Sequence, residues 1–113
     1  FRRIMFNVGL IYQTSPETIL AIRKDIESYV AANDDLANAD EATTTIRVTK
    51  FNDSSIDMLV YCFTRSTKWH DFCIARENLI LEIMKIVKKN GSDFAYPTST
   101  IHIEKDQDNS NSQ

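Results

Sequence analysis

Phe51 to Phe63 reads FNDSSIDMLVYCF. A polar cluster, Asn52 to Ser55, interrupts a run otherwise suited to strands. If Asp53, Ser54 and Ser55 did chemistry, the chain would be an enzyme. If they only turn the chain, the apolar residues after them form a strand paired with the one before. A serine nucleophile needs a base, usually histidine, within hydrogen-bond reach, and a positioned oxyanion site. The histidines are His70 and His102, distant in sequence, and no glycine flanks the serines as in a nucleophile elbow. Asp and Ser bond their own backbone in tight turns. We read the cluster as a turn, and expect no catalytic residues.

The segments beside the turn agree. TTIRVTKF, ending at Phe51, is rich in β-branched residues and predicts a strand. IDMLVYCFT, Ile56 to Thr64, predicts another. Its apolar residues occupy both faces, the pattern of a central or doubly covered strand. Tyr61 and Phe63 are expected in the core. They lack the basic, glycine-containing surroundings of an RNA-binding sheet.

Upstream, RRIMFNVGLIY alternates, placing Ile4, Phe6, Val8, Leu10 and Tyr12 on one face of a first strand. Ser15 then suits an N-cap and Pro16 a first helical position, with Thr14 and Glu17 at capping-box spacing. Ile19, Ile22, Ile26 and Tyr29/Val30 recur at helical spacing, so a helix is expected over 15–32. NDDLANADEATT has no period, is acidic, and reads as a solvated loop.

Downstream, a helix is expected over 67–89. Its apolar face would be Trp69, Phe72/Cys73, Leu79/Ile80, Ile83 and Ile86/Val87, and Asn90-Gly91 would stop it. FAYPTSTIHIEK is extended, with Pro97 barring a regular central ladder. DQDNSNSQ lacks hydrophobes and is expected to be disordered. The order β-α-β-β-α-β predicts an α+β, ferredoxin-like fold: an antiparallel sheet with two helices on one face. That fold serves many functions and names none.

Composition narrows the classes. The chain has 113 residues, enough for one core, and a net charge of −3. Arg2-Arg3 and Lys85, Lys88 and Lys89 are too few and too scattered to form a stripe for nucleic acid. No apolar run reaches the ~20 residues of a membrane span, and the N-terminus has no signal-peptide core. Because the chain opens on Phe1 rather than Met, we expect a segment of a longer protein. Cys62 and Cys73 read as buried free thiols in a reducing setting. With His70 they lack zinc-site spacing, so no metal or cofactor is expected. No glycine-rich anion cradle is present, since Gly9 and Gly91 are the only glycines.

The ordered segments resemble the C-terminal region of the small-conductance mechanosensitive channel family. Arg2-Arg3-Ile4 leads to Val8-Gly9-Leu10-Ile11-Tyr12. Thr14, Pro16 and Glu17 open the helix. Phe51, Asp53, Ser54 and Ser55, with Asp57, match the family's hairpin, and Pro97 and Thr100 match its aromatic-x-Pro-x-x-Thr close. The resemblance implies a homo-oligomer, typically a heptamer, anchored in the inner membrane by helices outside this sequence. Its cytoplasmic cage would lie below a pore that releases ions and osmolytes on osmotic downshock. Residues 1–3 would end a preceding β-domain, 4–97 would be the cage domain, and 98–105 a last strand near the ring axis. Thr100, Ile101, His102 and Ile103 would contact neighbouring subunits, leaving 106–113 as a polar tail. Negative charge repeated around a ring would enrich cations in the vestibule. The other reading is a free-standing ferredoxin-like module that binds a small ligand or metal.

Overall fold

The computed structural model describes residues 1–95. Five elements follow one another: β1 (Arg2–Leu10), α1 (Pro16–Ala32), β2 (Thr45–Phe51), β3 (Ile56–Thr64) and α2 (Trp69–Lys89). They form an α+β fold. The sheet order is β1-β3-β2, antiparallel throughout, so β3 is the central strand. This accounts for its two-sided apolar pattern. Beyond α2, Phe94 bridges Leu10, and the Ala95 N–H donates to the Gly9 carbonyl at 2.9 Å. The chain thus returns antiparallel beside β1. The expected last strand, with Pro97, Thr100, Ile101, His102 and Ile103, lies outside the described residues.

Local chemistry fixes the helix ends. The Ser15 hydroxyl accepts from the Thr18 N–H at 3.1 Å, and Pro16 follows at the first helical position. The capping box does not form at Thr14. Its hydroxyl donates to the Ile11 carbonyl at 2.7 Å and meets the Ser92 hydroxyl at 2.7 Å, tying the end of β1 to the end of α2. Helix α2 starts at Trp69, two residues later than expected. There Ser66 accepts from the Lys68 N–H and donates to Asp71, closing the first turn. At the other end Gly91 takes φ +81°, a conformation open to glycine at little cost.

Both helices cover one sheet face. Ile22, Ile26 and Val30 of α1 and Phe72, Ala75, Leu79, Ile83, Ile86 and Val87 of α2 pack with Ile4, Val8, Leu10, Ile46, Met58, Val60 and Cys62 of the sheet. Two expected core positions on α2 differ: Trp69 is 61% exposed and Ile80 is also exposed. Trp69 stacks on Phe72 at the first turn, and Ile80 lines an open cleft beside Phe6 and Val8 of β1. Tyr12 is exposed as well, because β1 ends at Leu10.

Two further expectations are corrected. Tyr61 and Phe63 are not in the core. Alternation along β3 points Met58, Val60 and Cys62 at the helices, so Leu59, Tyr61 and Phe63 lie on the helix-free face, half-buried. Nor is the acidic loop wholly solvated. Leu36 and Ala37 are buried; Leu36 bridges Thr64, and the Ala37 N–H donates to the Phe63 carbonyl at 2.9 Å.

Candidate functional site

The turn at 52–55 is held by hydrogen bonds from its own residues. Phe51 and Ile56 form the last pair of β2 and β3, and the Asn52 N–H donates to the Ser55 carbonyl at 2.7 Å. Asn52 Oδ1 accepts from the Asp53 N–H at 3.1 Å. The Asp57 carboxylate collects two side-chain donors, Ser55 Oγ at 2.7 Å and Asn52 Nδ2 at 3.2 Å. Ser55 and Asp57 are both buried. The Tyr12 hydroxyl also donates to the Asn52 carbonyl, which fastens the turn to the segment after β1.

Gly9 completes this arrangement. It stands opposite Asp57 on the neighbouring strand. A Cβ there would sit 3.3 Å from Ser55 Cβ and 3.7 Å from Asp57 Oδ1. The glycine leaves room for the serine–carboxylate pair.

Of the residues singled out in the turn, Phe51 is exposed beside Tyr12, their rings 6.5 Å apart. Asp53 is exposed, and its own contribution is a backbone N–H; Ser54 is half-buried. Asn52 and Asp57 organise the turn; the sequence marks Asp57 only as part of the hairpin motif, a lone acid second in an apolar strand, and gives Asn52 no role beyond the polar cluster.

A nucleophile–base pair does not assemble from these serines and His70. The turn is at the start of β3 and His70 follows its end, with nine strand residues between, roughly 27 Å at the usual rise. Among the described residues, no three His, Cys, Asp or Glu side chains are grouped to hold a metal. Burial pushes the Cys62 thiol up to about 11, so it stays protonated at neutral pH. Cys73 is only half-buried.

Two surfaces remain. The acidic loop is held firmly: Arg65 Nε donates to the Leu36 carbonyl at 3.1 Å, its guanidinium pairs with Glu41 at 2.7 Å, and its N–H donates to the Asp35 carbonyl. At the start of α2, Trp69 and Phe72 stack, and the Arg2 and Arg76 guanidiniums lie 4.8 and 5.0 Å from the Phe72 ring centre. Arg2 thereby fastens the beginning of the chain to the helix.

These features, a split βαβ sheet with an Asn-Asp-Ser-Ser turn, accompany a match to a family model described as "Mechanosensitive ion channel MscS, C-terminal", over residues 4–94. The chain belongs to the MscS channel family. It is 30% identical over 106 residues to the low conductance mechanosensitive channel YnaI of Escherichia coli, a match covering 91% of this chain and 29% of that protein. It is 27% identical over 105 residues to the small-conductance mechanosensitive channel MscMJ of Methanocaldococcus jannaschii, covering 93% and 29%. The chain therefore spans less than a third of the length of these relatives. Among solved structures, Arabidopsis thaliana MSL1 superposes with a TM-score of 0.74 at 19% identity, over 85% of this chain and 34% of that one. That likeness speaks for the fold. The MscS family is one of channels rather than enzymes. No helix among the described residues is long and apolar enough to cross a membrane.

Proposed function

We propose that this MscS C-terminal domain is a wall segment of a cytoplasmic cage, repeated around a homo-oligomeric, heptameric channel. The full-length protein opens under membrane tension and releases ions and small osmolytes on osmotic downshock, at the cytoplasmic face of the inner membrane. The observation that carries this reading is the family match across 4–94, nearly all of the described chain. The fold gives physical support. A ring of identical domains needs two different surfaces per copy, joined head to tail. The net charge of −3, repeated around such a ring, gives the vestibule a field that favours cations and weakens with salt.

Within the domain, Phe51, Asp53, Ser54 and Ser55 act structurally, as the turn that sets the register of β2 against β3. Pro97 and Thr100 take the corresponding part at the domain's exit. Thr100, Ile101, His102 and Ile103 supply a subunit contact near the ring axis. Expression of the full-length protein in cells lacking their own mechanosensitive channels tests the reading. Survival of a sudden osmotic downshock is expected to rise above the empty-vector level. Survival equal to that control, with the protein present in the membrane, would contradict it.

A further inference from the structure

The helix-free sheet face has a consistent chemistry. Register places Met5 beside Tyr61, Asn7 beside Leu59 and Arg3 beside Phe63. On the other side of β3, Arg47 pairs with Leu59 and Lys50 with Asp57. Met5 is 57% exposed; Leu59, Tyr61 and Phe63 are half-buried, and the two rings meet edge to face at 5.5 Å. None of these four side chains belongs to the buried core cluster. An apolar strip thus runs along the face, flanked by the exposed cations Arg3, Arg47 and Lys50. Among the described residues the one acid on this face, Asp57, is buried and engaged with Ser55 and Asn52.

The acidic loop has the complementary chemistry. Asp34, Asp35 and Asp40 are exposed, and their carboxylates make no ion pair with a described residue. Leu36, Ala37 and Arg65 anchor the loop, so its acids are presented on a fixed frame, and little ordering is lost on contact. The loop borders the end of the sheet, where Leu36 bridges Thr64 and the Ala37 N–H donates to the Phe63 carbonyl; it and the cation-flanked strip are unlike patches, as a head-to-tail contact requires.

The geometry points to a contact in which the acidic loop of one copy seats on the helix-free face of the next, its carboxylates toward Arg3, Arg47 and Lys50. The occupant is a second copy because a chain of net charge −3 carries both halves of the match. This deepens the assembly reading above and rests on it.

The test uses the full-length protein in membranes, with a photo-crosslinking amino acid at position 61. The expected crosslink joins two subunits and maps to residues 33–43. Reversing the face with Arg47→Glu and Lys50→Glu should lower its yield about fivefold, the scale of exposed ion pairs. Asp34→Lys with Asp35→Lys should do the same, and all four changes together should restore it. Crosslinks mapping to an upstream segment of the same chain, or to any other surface, would overturn the contact. So would a yield insensitive to both reversals. Mapped, charge-sensitive crosslinks in a protein that passes no current would support the contact while telling against the channel reading.

Discussion

Asp57, second residue of the central strand, faces Gly9, and its carboxylate joins Ser55 to Asn52. Removing it leaves a buried hydroxyl and a half-buried amide without their acceptor. Asp57→Ala should therefore cost about 1–3 kcal/mol, the penalty for orphaned polar groups. Asp53→Ala should cost only a few tenths, about 0.5 kcal/mol at most, as at other exposed sites. Urea denaturation of the two variants separates these outcomes. Gly9→Ala should also destabilise, since Ser55 would have to yield to the new Cβ. The cysteines give a second residue-scale test. Cys62 is fully buried with its thiol pushed up to about 11, whereas Cys73 is half-buried. Iodoacetamide at neutral pH should label Cys73 first, and Cys62 only on unfolding. Mass spectrometry of the labelled peptides reads this directly. The turn itself was legible because Asn, Asp and Ser between two strand-like runs have few other uses. Which side chains hold it was not legible, because the donors and acceptor come together only once β2 and β3 are in register.

At the scale of elements, strands and helices followed from periodicity, with α1 and β3 matching at nearly every residue. The misses share a cause. The phase of β3 was hidden because both its faces are apolar; the helices packing on Met58, Val60 and Cys62 decide it. Leu36 and Ala37 have no periodic neighbours, and their partners, Thr64 and Phe63, are distant in sequence. Leu36→Ala should cost about 2–4 kcal/mol, as a buried truncation, despite its place in a loop. Thermal unfolding checks it. The two helices are also tied at one end. The hydrogen bond from Asn90 and then the Lys89 ammonium hold the Asp25 carboxyl below the usual range. A depressed folded pKa contributes stability that is fully present above the unfolded value, about 4. It is lost as pH falls through the lower folded value. Acid unfolding followed by circular dichroism should show this, and Asp25→Asn should flatten that part of the pH dependence.

For the whole molecule, the three-stranded sheet carries both helices on one face, and no described helix covers the opposite face. That face has apolar side chains in the middle and cations at its sides, and the anchored acidic loop borders its end at Phe63 and Thr64. The asymmetry suits repetition around a ring better than an isologous pair, in which one patch meets itself. Arg2, stacked on Phe72 beside Trp69, ties the start of β1 to the first turn of α2. The proposed channel role requires that the full-length protein conduct under tension. Recording from membrane patches that contain the full-length protein, while suction is applied, tests it most directly. Stepwise currents are expected that appear above a threshold of suction and vanish on release. Silent patches up to rupture, with the protein shown to be in the membrane, would contradict it.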